Sequence, residues 1–273
     1  MTLDEFHAKL HETGDYDTEH GGATAINRLM GRFDWWFYIR ILSSAWRYSF
    51  PALMGRYGLR HWARNSFSML SIYEECGASI RIRGADRVHR HQGPVVYAAN
   101  HMSMAETVLL PCILLSFGPL TVVVKRSLLR YPAFGPILRN LSAIGVTRSN
   151  PREDFRIVME EGAERLARGI SVLVFPQSRR NAVFDRSAFN TIAVKLAKRA
   201  GVPVIPVALR TDFHGLGAVL KDFGRLDRSK AMHFCLGPPM VVGARDRDAH
   251  HEVVAYLEQE LRRMGLKVSS GSA

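Results

Sequence analysis

The segment VVYAANHMSMAETV, residues 95–108, joins a strand pattern to the side chains that best predict a functional site. Its first five residues are apolar, which is typical of a short strand covered on both faces of a sheet. The strand pattern ends at Asn100 and His101, and a helix is predicted to begin just after them. Because sites in open α/β sheets form beyond the carboxyl ends of strands, we predict a site at this strand end.

Short apolar segments rich in β-branched residues recur along the chain and alternate with amphipathic segments. They predict further strands at Ile80–Arg83, Leu120–Val124, Ala143–Val146, Ser171–Phe175, Val204–Ala208 and Met232–Leu236. A helix capped by Asn150 and ending near Arg168 is predicted between them, with others at about 188–200 and 247–264. This alternation predicts an α/β fold, with a mixed, largely parallel sheet covered by helices on both faces.

Positive charge is unevenly distributed along the chain. The 273 residues carry 37 Lys and Arg against 25 Asp and Glu, a formal net charge of +12. Residues 1–25 hold six acids and a single lysine, a net charge of −5, which leaves +17 for residues 26–273. We interpret residues 1–25 as a polar acidic arm, residues 26–78 as a helical segment and residues 79–273 as the α/β domain. The surplus charge suits an anionic membrane, an anionic substrate or a nucleic acid.

Residues 26–78 differ from their neighbours in aromatic and arginine content. All four tryptophans lie here, and seven arginines against one acid lie between Arg28 and Arg64. Residues 33–54 have about the length of a membrane span, but three charges interrupt them, each costing about 2.5–3.5 kcal/mol near a bilayer centre. We therefore predict membrane-associating helices that lie in an anionic surface, because tryptophan favours the head-group zone and arginine pairs with anionic lipid. Ordinary core-packing helices with basic outer faces are the alternative.

Several other classes of protein fit the composition poorly. The cysteines Cys76, Cys112 and Cys235 are far apart and odd in number, which argues against a disulfide framework or zinc cluster and favours a reducing compartment. The first 25 residues lack the basic start and apolar run of a signal peptide. No helix-turn-helix, zinc or RNA-binding motif accompanies the positive charge, so a nucleic acid is not expected as a partner.

His101 and Glu106 are candidates for a catalytic pair. On one continuous helix their five-residue spacing would set them about 140° apart. They can meet if His101 precedes the helix and Glu106 lies in its first turn, with Ser103 as the N-cap. The carboxylate would then orient the imidazole, and the other ring nitrogen could take a proton from a hydroxyl group. Alternatively, residues 103–106 form an S-x-x-E capping box, in which Glu106 only satisfies backbone N–H groups.

Basic side chains follow three other predicted strands. Lys125 comes after the strand at 120–124, Arg148 after the strand at 143–146 and Arg180 after the strand at 171–175. Because arginine can hold phosphate oxygens with two parallel hydrogen bonds, these positions indicate a phosphate site. A solvated basic face, or an exposed turn after a core strand, is the alternative.

Four segments together resemble the glycerophospholipid acyltransferases typified by 1-acyl-glycerol-3-phosphate acyltransferase. That family carries, in order, an N-H-x4-D block, a block ending in G-x-I-x-x-x-R, an F-P-E-G-T-R block and an apolar V-P-[IV]-x-P block. The corresponding segments, within residues 80–215, are Asn100–Glu106, Gly135–Arg148, Phe175–Arg180 and Val202–Val207. The sequence departs from the family pattern at Glu106, Gln177, Ser178 and Arg179, which indicates a divergent branch.

The resemblance implies an O-acyltransferase of phospholipid biosynthesis or remodelling, acting at the cytoplasmic face of a membrane. His101 would take the proton of an acceptor hydroxyl while Glu106 stabilises the imidazolium, and the hydroxyl oxygen would attack the thioester of acyl-CoA or acyl carrier protein. The expected acceptor is a lysophospholipid, first of all 1-acyl-glycerol-3-phosphate, with no metal, tightly bound cofactor or acyl-enzyme. The expected substrate-binding residues are Asn100, Lys125, Arg148, Pro176, Gln177 and Arg180.

Two alternative functions stay open. The departures at Glu106, Gln177 and Arg179 also fit a catalytically inactive membrane-surface protein of the same fold. An acyltransferase that acts on another lysolipid is the second alternative.

Overall fold

The chain folds around one mixed β-sheet, seen in a computed structural model that describes residues 1–19, 25–132, 134–177, 179–218 and 220–269. Residues 20–24 of the predicted arm and Ser178 of the third block lie outside the described residues. The strands are β1 Tyr16–Asp17, β2 Ile80–Arg83, β3 Val96–Ala99, β4 Leu120–Lys125, β5 Ile144–Val146, β6 Ser171–Val174, β7 Phe184–Asp185, β8 Val204–Arg210, β9 Met232–Leu236 and β10 Val268–Ser269. The helices are α1 Leu3–Thr13, α2 Ala25–Met30, α3 Asp34–Leu53, α4 Leu59–Glu75, α5 Ala85–His89, α6 Ala105–Leu114, α7 Gly135–Asn140, α8 Pro151–Ala167, α9 Ile192–Ala200 and α10 Asp246–Arg263.

Within the described residues the main sheet has the strand order β1-β2-β9-β8-β3-β6-β4-β5. The strands β8, β3, β6, β4 and β5 are mutually parallel, so their carboxyl ends share one edge. β9 runs antiparallel to β8, and β2 is parallel to β9. The predicted mixed, largely parallel sheet is therefore confirmed, and its shared edge collects the polar residues that follow each strand.

Alternate strand residues pack into two cores, one on each face of the sheet. On β3, Tyr97 and Ala99 belong to the core shared with α1, α3, α4 and α6. Val96 and Ala98 belong to the core shared with α8, α9 and α10. Because successive side chains of a strand point to opposite faces, both cores need apolar residues at every position of β3. This explains the continuous apolar pattern that predicted the strand.

The first residues of the chain are an integral part of the fold. We predicted a polar acidic arm for residues 1–25, but α1 buries Phe6 and Leu10 completely. β1 extends the sheet by pairing antiparallel with β2, and Asp17 bonds to Arg83 on that strand. The polar composition concealed the spacing of Phe6 and Leu10, four residues apart, which is enough to bury one face of a short helix.

The helix α3 is apolar on two sides. Its inner side buries Phe37, Ile41 and Ala45 in the core. Its outer side exposes a second stripe made of Trp35, Ile39, Leu42, Trp46, Phe50 and Leu53. Among the residues described here, no helix combines the length and the apolar character that crossing a bilayer requires.

Candidate active site

His101 and Glu106 meet at the carboxyl end of β3. Nδ1 of His101 lies 2.5 Å from Oε2 of Glu106. His101 occupies the loop before α6, and Glu106 lies in the first turn of α6, as their spacing required. The residue at the N-cap is Met104 and not the predicted Ser103. Glu106 is fully buried and His101 is 6% exposed, so water competes little for this hydrogen bond.

The second carboxylate oxygen of Glu106 has a structural role. Oε1 accepts hydrogen bonds from the backbone N–H groups of Met102, at 2.7 Å, and Ser103, at 2.8 Å. It also accepts from the hydroxyl of Thr211, just after β8. Thus Glu106 both orients His101 and satisfies loop N–H groups, and the two interpretations of the S-x-x-E pattern describe different oxygens of one carboxylate.

The hydrogen bonds around His101 assign its tautomer. An ionised carboxylate is an acceptor only, so Nδ1 carries the proton and donates it to Glu106. Nε2 then keeps its lone pair and can accept a proton. The ring also stacks on Phe175, with centroids 4.4 Å apart, which fixes its plane.

Three of the predicted substrate-binding residues make contacts within the protein. The side-chain amide of buried Asn100 donates to the carbonyl of Leu209 at 2.8 Å and accepts from its backbone N–H at 2.7 Å, and so ties β3 to β8. The side-chain oxygen of buried Gln177 accepts from the backbone N–H of His101 at 2.8 Å. The carbonyl of Pro176 accepts from Asn190. These bonds fix Asn100, Pro176 and Gln177 at the strand ends, and that of Gln177 also holds the His101 loop, while their contact with substrate stays a prediction.

Of the three predicted cations, Arg180 contacts His101 directly. Nε of Arg180 donates to Nε2 of His101 over 3.4 Å, and Arg180 also pairs with Asp222. Desolvation, followed by the like charge of Arg180, lowers the pKa of the Arg148 guanidinium. Lys125 ends β4 with an exposed side chain. The charge of Arg180 thus acts on Arg148, whereas the part of the chain that the structure describes shows no contact of Lys125 with either arginine.

Arg148 has a backbone conformation that its neighbours enforce. Its φ is +64°, in the left-handed region that residues with a Cβ rarely adopt. Buried Asp154, in the first turn of α8, accepts from the backbone N–H of Arg148 at 2.7 Å and of Thr147 at 2.6 Å. These bonds stabilise the turn that presents Arg148 beyond β5.

An apolar cavity extends from Arg180 between the sheet and the helices of one face. It has about 960 Å³ of empty space, including the solvent-filled space at its open mouth. Apolar side chains from α4, α6, β4 and α7 line most of it, and Arg180 and Asp222 contribute its charged groups. Ligand cavities of proteins are typically apolar, with a few polar groups that orient the ligand. A long apolar chain could therefore lie here with its polar end at Arg180.

Comparison with known proteins agrees with this geometry. A family model described as Acyltransferase matches residues 79–210. The chain is 30% identical over 185 residues to a 1-acyl-sn-glycerol-3-phosphate acyltransferase of Pseudomonas aeruginosa, covering 68% of this chain and 67% of that protein. The chain belongs to the acyltransferase family. This acyltransferase is also 27% identical over 166 residues to a lyso-ornithine lipid O-acyltransferase of Pseudomonas aeruginosa, covering 56% of this chain and 62% of that protein.

The fold of this acyltransferase has also been seen before. It matches the crystal structure of the 1-acyl-sn-glycerophosphate (LPA) acyltransferase PlsC from Thermotoga maritima with a TM-score of 0.67. The match covers 90% of this chain and 99% of that one at 16% sequence identity. At this identity the likeness shows the fold alone, a mostly parallel sheet flanked by helices.

The sequence did not single out several residues that complete the site of this acyltransferase. Thr211 directly follows β8, and the strand-end argument that found His101 could have found it too. Asp222 and His214 belong to the loop between β8 and β9, which has no periodic pattern to predict their position. Asp154 has no signal in the sequence, because its bonds to residues 147 and 148 need a turn that the sequence does not reveal.

Proposed function

We propose that this acyltransferase moves a fatty acyl group from acyl-CoA or acyl carrier protein to the hydroxyl group of a lysophospholipid. The observation that carries the proposal is the contact of His101, a base oriented by a carboxylate, with Arg180, which lines the apolar cavity. A base, an anion-binding arginine and a space for an apolar chain are the groups that this reaction needs.

The reaction we propose is a direct transfer. Nε2 of His101 takes the acceptor's hydroxyl proton while the hydroxyl oxygen bonds to the thioester carbonyl carbon, which gives a tetrahedral intermediate. Glu106 stabilises the imidazolium through Nδ1. As the carbon–sulfur bond breaks, Nε2 returns the proton to the sulfur, which leaves as a thiol. His101 thus ends in its starting state, and no acyl group becomes attached to the protein.

The acceptor we propose first is 1-acyl-glycerol-3-phosphate. Arg180 and Arg148 supply two positive charges for its phosphate, and Lys125 stays a candidate for a further contact. The relatives named as 1-acyl-sn-glycerol-3-phosphate acyltransferases support this choice. The relative named as a lyso-ornithine lipid O-acyltransferase supports another lysolipid as the second candidate.

An acyl-transfer assay tests the proposal directly. The purified protein is incubated with a panel of lysolipids and with each thioester donor, and the products are followed by mass spectrometry beside His101→Ala. We expect a diacyl product that depends on His101. Absence of product with every pair of substrates, together with intact vesicle binding, would favour the catalytically inactive alternative.

Chain-length preference tests whether the cavity holds the donor's acyl chain. Val124 lines the cavity, whereas Val123 points to the opposite core. We expect Val124→Phe to lower kcat/KM for long-chain donors about tenfold and to spare short chains, because each methylene excluded from the cavity forfeits about 0.8 kcal/mol. Val123→Phe, on the same strand, is the control, and equal chain-length profiles for the two variants would contradict the assignment.

We also propose that α2 and α3 lie on an anionic membrane surface at its cytoplasmic face. The outer apolar stripe of α3 continues into exposed Ile26, Leu29 and Phe33. Exposed arginines border these side chains in the sequence, at Arg32, Arg47 and Arg56. A large exposed apolar patch with a basic rim is typical of an interfacial contact. The cytoplasmic face is supported by three free, buried cysteines, which suit a reducing compartment.

Vesicle binding tests the membrane surface. Replacing Trp35, Trp46 and Phe50 together with serine is expected to weaken binding to phosphatidylglycerol vesicles about tenfold to thirtyfold, because buried aromatic area dominates such contacts. Phe155→Ser removes an aromatic ring that is also exposed but lies on α8. Equal binding of the triple variant and this control, in a sedimentation assay, would rule out this surface.

A further inference from the structure

Arg180 joins the base to a carboxylate that the proposed reaction does not use. Its Nε donates to Nε2 of His101, and its Nη1 donates to Oδ1 of Asp222. The Arg180 side chain is 22% exposed and that of Asp222 is 49% exposed. Both residues also line the apolar cavity. The ion pair therefore lies where an acceptor's polar head group would meet the catalytic base.

The position of Asp222 is fixed from the side of α3 and α4. Its main-chain carbonyl accepts from Nε2 of buried His214 at 3.0 Å, and Nδ1 of His214 lies 2.6 Å from the Tyr73 hydroxyl. Burial lowers the pKa of His214, and the neutral ring has the one donor and one acceptor that these contacts need. Tyr38 on α3 bonds to the carbonyl of Gly224, two residues further on. Asp222 is thus held beside Arg180 by two helices.

An acceptor with an anionic head group must compete for this arginine. Arg148 follows the parallel strand β5 at the same edge of the sheet as Arg180, so a second positive charge lies at this edge and favours an anion. An anion that binds Arg180 either displaces the Asp222 carboxylate or shares the guanidinium with it, and like charges side by side are costly. The acceptor hydroxyl also needs the Nε2 lone pair of His101, which Arg180 now engages.

We propose that Asp222 is a specificity-determining residue, which competes with the acceptor's head group for Arg180 and holds Arg180 on His101 until that group replaces it. The inference rests on the proposed function and extends it to the choice of acceptor. Asp222 raises the KM of acceptors with a phosphomonoester. It affects head groups with an ammonium group much less, because the ammonium can pair with the carboxylate.

Asp222→Asn tests the proposal, because the amide keeps the shape and the hydrogen-bond acceptor but removes the charge. We expect KM for 1-acyl-glycerol-3-phosphate to fall about five- to twentyfold, which corresponds to one like-charge contact, with kcat within about twofold. KM for lysophosphatidylethanolamine should change less than about twofold, because its ammonium group pairs with the Asp222 carboxylate and offsets the repulsion of its phosphate. Glycerol 3-phosphate is a soluble probe of the head-group site. Its inhibition constant should fall by a similar factor to KM for 1-acyl-glycerol-3-phosphate.

Asp227→Asn is the matched control. Asp227 lies in the same loop but bonds to Lys230 and Ser229. Should Asp222→Asn fail to fold, Asp222→Ser also removes the carboxylate and carries the same expectation.

Different outcomes would show that the role of Asp222 is wrong and that the proposed function is wrong. If the wild type is active and a folded Asp222 variant does not lower KM for 1-acyl-glycerol-3-phosphate, the inference is wrong. A wild type without activity, or one whose activity survives His101→Ala, overturns the proposed function instead.

Discussion

Replacing His101 with alanine is expected to lower the rate of acyl transfer by about 10²–10⁴-fold. Nε2 takes the hydroxyl proton in the first step and returns it to the leaving sulfur in the second, so the loss should appear in kcat. It should also be similar for every acceptor and donor, because both proton transfers are common to all pairs. The measurement is product formation at saturating substrate, followed by mass spectrometry.

Loss of fold must be separated from loss of the base. The His101 ring stacks on Phe175 in a largely buried position, so the alanine variant also loses packing. Thermal unfolding and vesicle binding of His101→Ala report the fold and the membrane surface independently of chemistry. A variant that is folded and still transfers acyl groups at the wild-type rate would refute the base mechanism.

Glu106→Gln is expected to cost about 10²–10⁴-fold in kcat while leaving the chain folded. The amide oxygen can still accept from the N–H groups of Met102 and Ser103, so these two backbone groups keep their hydrogen-bond acceptor. The amide NH₂ then faces Nδ1 of His101, and two donors cannot bond to each other. The ring must move its proton to Nε2, and the nitrogen that should accept the hydroxyl proton is blocked.

Glu106→Asp tests the carboxylate charge separately from the length of the side chain. Aspartate keeps the negative charge, but it is one methylene shorter and cannot span the contacts to both His101 and Thr211. We expect Glu106→Asp to retain part of the activity, at about tenfold to hundredfold below wild type, as for a misplaced catalytic group. A glutamine variant as active as the aspartate variant would show that the carboxylate charge is not needed.

The strands and the pairing of His101 with Glu106 were predictable because both depend on local patterns. Apolar residues alternate with arginines in β2 and are nearly continuous in β9, and both local patterns are typical of strands, so β2 and β9 could be predicted to the residue. The five-residue spacing of His101 and Glu106 permits contact only where a strand gives way to a helix. Both conclusions need no knowledge of distant parts of the chain.

The roles of Asn100 and Gln177 were less predictable because they depend on distant main-chain groups. Both lie beside the base or in the block that resembles a substrate-binding motif, so a substrate contact was the natural expectation. In the fold they also bond to Leu209 and to the backbone of His101, 109 and 76 residues away in the chain, and no local pattern reveals these contacts. The loop that holds Asp222 was missed for the same reason, since its neighbours on α3 and α4 are determined by the tertiary fold.

The bond between Thr211 and Glu106 has a consequence for how the enzyme is made. The two residues are 105 positions apart in the chain. The ribosome releases the chain from its N-terminus, and a domain generally folds as a unit. A nascent chain therefore carries His101 and Glu106 long before β8 exists to complete their surroundings. Any fragment that ends before residue 211 holds both members of the pair without their finished site, so the ability to act arrives late in synthesis.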